Sequence, residues 1–218
     1  MTYLGILFDL DGTLLDTIED IKSAMNKVLA KHGFPLHSAQ DYRNMVGWGL
    51  RELVRLALPR QYASDEKVRQ CVEEMKIHYA ENPVEKTKPY PGINRMLDLL
   101  FRENIKLGIL SNKIDGIVKQ VIASVFPERG FHSVRGLMEE IPRKPDSAGA
   151  LLAAEEMGVH PEKILYIGDS DVDMKTAKAA GMFPAGVDWG YRSSGILRNH
   201  GAEVVFSDPM EIPEYIRK

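Results

Sequence analysis

Asp9 and Asp11 stand two residues apart at the end of the unbroken apolar run Tyr3 to Phe8, and Gly12 and Thr13 follow them. In extended chain, residues i and i+2 point to the same side, so both carboxylates can enter one cavity. Gly12 then permits a tight turn. Two like charges this close repel, so at least one must meet a cation or hold a proton. A Mg²⁺ ion would answer that demand. Asp169 and Asp173, from the stretch Gly168-Asp169-Ser170-Asp171-Val172-Asp173, could complete a hard-oxygen site that leaves positions for water and for a phosphate oxygen. Ser111-Asn112 closes another apolar run, and Lys144 stands just before Pro145. A hydroxyl and an ammonium are donors for an anion. Carboxylates, a divalent metal, one lysine and one hydroxyl together make a site suited to phosphoryl transfer.

The elements that must carry these groups follow from periodicity. Tyr3 to Phe8 has no polar interruption, which suits a strand buried on both faces. From Asp16, read as an N-cap, apolar residues at Ile18, Ile21, Met25, Val28 and Leu29 form one helical stripe that stops at His32-Gly33, with Pro35 beyond. Helical patterns continue through Gly49 to Leu58 and Asp65 to Ala80, up to the turn residues Pro83 and Pro89-Tyr90-Pro91-Gly92. Beyond Gly92, helices alternate with short buried strands. Ile93 to Phe101, Asp115 to Val125, Asp146 to Met157 and Asp171 to Ala180 read as helices. Lys106 to Leu110, Ile164 to Ile167, Phe183 to Val187 and Glu203 to Phe206 read as strands, and Gly181 ends the last long helix. The expectation is an α/β fold with an open parallel-sheet, Rossmann-like core, strand one central and helices on both faces. An all-helical domain is inserted in it, with residues 1–16 and 87–218 forming the core and 17–86 the insert. Ligands bind such sheets outside the carboxyl ends of the strands, where Asp9, Ser111 and Asp169 fall.

Length and composition bound the rest. A chain of 218 residues supports one domain, or one carrying an inserted second, and 44% hydrophobic with 27% charged residues is an ordinary folded composition. The formal charge of −3 and the lack of a basic run argue against nucleic acid as a direct partner. Cys71 is the sole cysteine, so no intrachain disulfide forms and a reducing, cytoplasmic setting is expected. The amino-terminal stretch lacks the pattern of a signal peptide, and no apolar run reaches about 18 residues, so no membrane partner is expected.

Several other patterns carry less. Neither acidic cluster is an EF-hand: the sixth position is Leu14 counting from Asp9 and Met174 counting from Asp169. Gly47-Trp48-Gly49 has Glu52 where a dinucleotide fingerprint needs its third glycine, and Gly181 to Gly186 is followed by Val187 where a P-loop needs Lys. Gly47, Trp48, Gly49 and Arg51 are candidates for a substrate-sensing loop facing the site, with an ordinary helix start as the alternative. Asp171 reads as a first-turn helix acid. The six histidines lack metal-ligand spacing, and the ten methionines read as core filling.

With Asp9-Leu10-Asp11-Gly12-Thr13, Ser111-Asn112, Lys144-Pro145 and Gly168-Asp169-Ser170-x-x-Asp173 in this order, the chain resembles the haloacid dehalogenase-like hydrolase superfamily over essentially its whole length. The helical insert, Tyr90-Pro91-Gly92 and Asp188-Trp189-Gly190-Tyr191 resemble the phosphoglycolate phosphatase-like subfamily with its helical cap. One departure is Lys144-Pro145-Asp146-Ser147, which lacks the frequent second proline and offers Asp146 as an N-cap instead. The resemblance implies a Mg²⁺-dependent phosphatase of a small phosphorylated metabolite, with phosphoglycolate the leading candidate. It implies Asp9 as nucleophile forming an aspartyl-phosphate, and Asp11 as acid and then base. It implies Mg²⁺ held by Asp9, the Asp11 carbonyl and Asp169, with Asp173 nearby. Ser111, Asn112 and Lys144 would hold phosphoryl oxygens, and Thr13 would position the loop. A sugar-phosphate mutase or inorganic pyrophosphatase on the same core stays open, because the cap sets the substrate. A dehalogenase has no use for the full metal set. A receiver domain would lack the insert, and a regulatory protein could keep the site unused. Monomer and homodimer are both compatible. The linkers near 13–16 and 85–91 would let the cap close over the site.

Overall fold

The computed structural model of the protein describes residues 2–81, 84–127 and 129–217, so the turn expected at Pro83 lies outside the described residues. The chain enters through β1 (Gly5–Phe8) and reaches the short β2 (Leu15–Asp16). It then forms α1 (Ile18–Lys31), α2 (Ala39–Met45), α3 (Leu50–Ala57) and α4 (Asp65–Glu81), and returns through β3 (Lys88–Pro89). From there helices and strands alternate: α5 (Ile93–Arg102), β4 (Lys106–Ile114), α6 (Asp115–Val125), β5 (Ser133–Leu137), α7 (Ala148–Met157) and β6 (Ile164–Gly168). The chain ends with α8 (Asp171–Ala179), β7 (Phe183–Val187), α9 (Ser194–Asn199), β8 (Val204–Phe206) and α10 (Glu211–Ile216).

Among the described residues the main sheet has six strands in the order β5-β4-β1-β6-β7-β8, and every neighbouring pair is parallel. The expected α/β architecture with β1 in the middle is therefore present. All four residues of β1 are buried, because its two faces serve two apolar clusters. Ile6 and Phe8 pack into the larger cluster, together with residues of α1, α3, α4, α5 and α6. Leu7 packs on the other face against the alanines of α7, Tyr166 and Ala177. An uninterrupted apolar run is what such a strand requires.

Parallel register places Phe8 beside both Ile109 and Ile167, so Asp9, Ser111 and Asp169 emerge at one edge of the sheet. Asp9 is tied there by its N–H donating to the Ile167 carbonyl at 2.8 Å. The helices α1–α4 lie over this edge, and among the described residues no helix is long and apolar enough to cross a membrane.

The structure revises several local expectations. Thr17, not Asp16, precedes α1 as its cap residue, because Asp16 is drawn into an antiparallel pairing with Lys88. The two linkers are thus bound to each other through β2 and β3, and the Tyr90 N–H donates to the Leu14 carbonyl at 3.2 Å. Ser147 rather than Asp146 caps α7, although the Asp146 carboxylate still accepts from the Ala148 N–H at 2.8 Å. The strand expected at 106–110 continues to Ile114, with a register irregularity after Leu110 where it enters the site.

The insert is also anchored by a buried acid. Asp20 of α1 is 3% exposed and accepts from the N–H groups of Lys86 and Thr87 and from the Thr87 hydroxyl, at 2.7–3.0 Å. Replacing it removes the shared charged acceptor of these part-buried bonds, and a hydrogen bond to a charged group contributes about 1.5–3 kcal/mol. Asp20→Ala is expected to lower the unfolding free energy by about 3 kcal/mol in urea titration; a change below about 0.5 kcal/mol would refute the anchoring role.

Candidate active site

The loop after β1 is folded back on itself. The N–H groups of Thr13, Leu14 and Leu15 converge on the Leu10 carbonyl, and the Gly12 N–H donates to the Leu15 carbonyl at 2.9 Å. Gly12 has φ +87°, and a Cβ there would collide with the Asp169 carboxylate and the Tyr191 ring, so both its conformation and its surroundings demand glycine. Thr13 is buried in this loop; its carbonyl accepts from Trp189 Nε1 at 3.0 Å, while its hydroxyl lacks a partner among the described residues.

Asp9, Asp169 and Asp173 each offer an oxygen within 4.8 Å of the others, and all three are buried. One ammonium is set among them. Lys144 Nζ donates to Asp9 Oδ1 at 2.8 Å, to Asp173 Oδ1 at 2.7 Å and to the Leu110 carbonyl at 3.1 Å. Asp173 serves two masters. Its Oδ2 accepts from the Ser170 N–H and hydroxyl in a capping box that starts α8, while Oδ1 faces Lys144. The helix-capping contact and the contact with Lys144 are thus made by the two oxygens of one carboxylate.

Burial and the neighbouring Asp173 charge push the Asp9 carboxyl up to about 7, against the opposing pull of Lys144. Burial, then Asp9 and Asp173, hold Asp169 well above the usual carboxylate range, although the Tyr191 N–H donates to its Oδ2 at 2.7 Å. Burial works against the charge of Lys144, but Asp173 and Asp9 overcome it and raise the group well above the ordinary lysine range. One lysine does not balance three buried carboxylates.

Asp11 stands apart from this cluster. Both of its oxygens accept from Lys113 Nζ at 2.8 Å, and that ammonium lies 4.9 Å from the centre of the Tyr79 ring on α4. Burial disfavours the Lys113 charge, but Asp11 and then Tyr79 raise the group above its ordinary range. Lys113 escaped the sequence reading. Its signal was position: it lies two residues beyond Ser111 on the same strand, hence on the same side.

Ser111 is buried and lines the cavity, its hydroxyl accepting from the Lys113 N–H at 3.2 Å. Asn112 is occupied with backbone: its amide donates to the carbonyls of Gly47 and Lys144 and accepts from the Lys144 N–H. Those contacts position Lys144 and seat the 47–49 loop. Gly47 and Gly49 line the cavity, whereas Arg51 turns away to pair with Asp65 at 3.0 Å and Trp48 lies against Lys175 outside it. Asp171 pairs with Lys175 at 2.7 Å, as a first-turn helix acid does. Arg192, also unforeseen, donates to the carbonyls of Arg43, Asn44 and Val46 and so joins the sheet to the helical segment.

The cavity between sheet and helices, with its open mouth, spans about 770 Å³ and contains Asp9, Asp11, Ser111, Lys144 and Asp169 in its lining. Residues 6–187 match the family model described as haloacid dehalogenase-like hydrolase. A phosphoglycolate phosphatase of Aquifex aeolicus is 36% identical over 186 residues, covering 85% of each chain. One of Cereibacter sphaeroides (strain ATCC 17029 / ATH 2.4.9) is 32% identical over 218 residues, covering 98% of each. A crystal structure from Lactobacillus delbrueckii subsp. bulgaricus superposes with a TM-score of 0.92 at 30% identity, covering 99% of both chains. With this fold, this site and these matches, the chain belongs to the haloacid dehalogenase-like hydrolase family.

An acid whose folded-state pKa is raised favours the fold only while protonated, so stability should fall as pH climbs from about 4 to about 7 through Asp9, with Asp169 acting in the same direction. In EDTA, the protein is expected to melt at a lower temperature at pH 8 than at pH 5, and millimolar Mg²⁺ at pH 8 should recover the difference. Scanning calorimetry that finds equal melting temperatures in EDTA at the two pH values would contradict the charge imbalance.

Proposed function

We propose that this hydrolase is a Mg²⁺-dependent phosphatase of small phosphate monoesters that works through an aspartyl-phosphate on Asp9. The observation that carries the reading is the buried set Asp9, Asp169, Asp173 and Lys144, with Asp11 beside it on its own lysine. In the first step an Asp9 oxygen attacks phosphorus, the bond from phosphorus to the ester oxygen breaks, and Asp11 gives that oxygen its proton. In the second step Asp11 takes a proton from water, the water oxygen attacks phosphorus, and Asp9 is released with inorganic phosphate. To donate in the first step, Asp11 must exchange Lys113 for the leaving oxygen. Lys144 and the Ser111 hydroxyl would bind phosphoryl oxygens, and Asn112 would hold Lys144 in place.

Three buried oxygen donors with one ammonium between them fit a hard divalent cation, since the set carries uncompensated negative charge and contains neither thiol nor imidazole. Asp9 and Asp169, with the Asp11 carbonyl and with Asp173 behind them, would hold Mg²⁺. When bound, the ion would neutralise charge on the phosphoryl oxygens.

We assign helices α1–α4 to a cap of residues 17–86 over a core of residues 1–16 and 87–218. The single buried Cys71 fits a cytoplasmic protein. The relatives' name makes phosphoglycolate the first compound for assay. Asp9→Asn is expected to reduce Mg²⁺-dependent phosphate release by about 10³-fold or more with the fold retained by circular dichroism; near-wild-type turnover would remove Asp9 as nucleophile. Asp11→Asn is expected to slow alkyl phosphates more than nitrophenyl phosphate, whose leaving group needs no proton. Equal losses for both would exclude the acid role.

A further inference from the structure

The Tyr79 hydroxyl of α4 is buried in the wall of the cavity and has no hydrogen-bond partner among the described residues. A buried polar atom left open in this way is costly unless another group fills the position. Beside it stands Lys113 of β4, whose own ammonium is buried and lies 4.9 Å from the centre of the Tyr79 ring.

The cations bordering the cavity are not equally free to take a new partner. Lys144 Nζ has three acceptors, on Asp9, Asp173 and the Leu110 carbonyl, which match its three N–H groups. Arg192 is spent on the carbonyls of Arg43, Asn44 and Val46, and Lys76 pairs with Glu73 at 2.8 Å with 43% of its side chain exposed. Among the described residues Lys113 Nζ gives two hydrogen bonds, both to the one carboxylate of Asp11. When Asp11 turns to the ester oxygen, Lys113 loses that partner in a buried place and needs another acceptor. A carboxylate carried one methylene beyond the ester oxygen arrives beside Asp11 and replaces it like for like, with the Tyr79 hydroxyl as a second donor. One ammonium and one hydroxyl match a single negative charge. A dianionic group there would bring a second charge against Ile21, Leu53 and Met75, with the other cations already engaged.

We propose that Lys113 and Tyr79 are the residues that read the leaving group: its carboxylate takes Lys113 from Asp11, accepts from the Tyr79 hydroxyl, and in the same exchange frees Asp11 to reach the ester oxygen. The inference rests on the phosphatase reading and assigns its specificity to two side chains, one from the sheet and one from the helical insert. An uncharged leaving group leaves Lys113 on Asp11, so recognition and reaction suffer together.

Phosphoglycolate and glycolamide phosphate are the decisive pair, alike in size and differing by one charge. With wild-type protein and Mg²⁺, kcat/KM for phosphoglycolate is expected to exceed that for the amide by about 50-fold or more, with kcat affected as well as KM. Tyr79→Phe should cut this ratio about fivefold or more, with the fold retained by circular dichroism because the hydroxyl it removes is unpartnered. A merely structural role would move both substrates together and leave the ratio alone. Calorimetric titration with 3-phosphonopropionate and 3-phosphonopropionamide, in which a methylene replaces the ester oxygen, should give the same order of affinities and the same response to Tyr79→Phe. A ratio near one in the wild type, or one unchanged in Tyr79→Phe, would overturn the inference and leave the phosphatase reading intact. Without Asp9-dependent phosphate release from either ester the phosphatase reading falls, and the phosphonates decide the subsite: a preference for the carboxylate that Tyr79→Phe weakens upholds it, and equal affinities overturn it.

Discussion

The ammonium of Lys144, buried between Asp9 and Asp173, is the interaction on which the site depends. A buried charge is tolerated only when paired and hydrogen-bonded, and here each partner comes from a different part of the chain. Asp9 ends β1, Asp173 opens α8, and Lys144 arrives on the segment before α7, which Asn112 grips through the Lys144 backbone. Adjacent parallel strands β4, β1 and β6 are what bring these segments to one edge. The same packing leaves the carboxylates in excess over the lysine, and this imbalance raises the Asp9 and Asp169 carboxyls. Titratable groups perturbed by burial and by a specific charge partner cluster at functional sites.

The helical segment is seated on this edge by a different sort of contact. Asn112, Arg143 and Arg192, all from the sheet portion, donate to the carbonyls of residues between Arg43 and Trp48. Because these bonds address backbone, they hold the loop without constraining its side chains. At the other end, β2 pairs with β3 and Asp20 binds the return linker, so the two crossings between insert and sheet are hydrogen-bonded to each other.

Local pattern made much of this legible. The unbroken run before Asp9 identified a doubly buried strand, and the stripe from Ile18 to Leu29 identified α1, because burial on one face or two leaves a periodic record. Elements with weaker records were not foreseen. The edge strand β5 mixes polar residues with apolar ones, and α2 is short, although Ser38 and Asp41 form a capping box that the sequence contains openly. Asp16 was misassigned as a cap because its pairing with Lys88 joins residues far apart in the chain.

For the site, residue type and spacing were enough to select Asp9, Asp11, Ser111, Lys144, Asp169 and Asp173, since closely spaced like charges at strand ends need a chemical reason. Which lysine serves which carboxylate was decided by tertiary structure: Lys144 joins Asp9 to Asp173 across 135 and 29 residues, and Lys113 takes Asp11 across 102. The fates of Arg51, turned outward to Asp65, and of Arg192, turned inward to backbone carbonyls, were decided in the same way. Sequence by itself determined which charges would need partners, because charge and spacing are local properties. Only the folded chain decided the partners, because these depend on which distant segments the sheet and helices bring within contact distance.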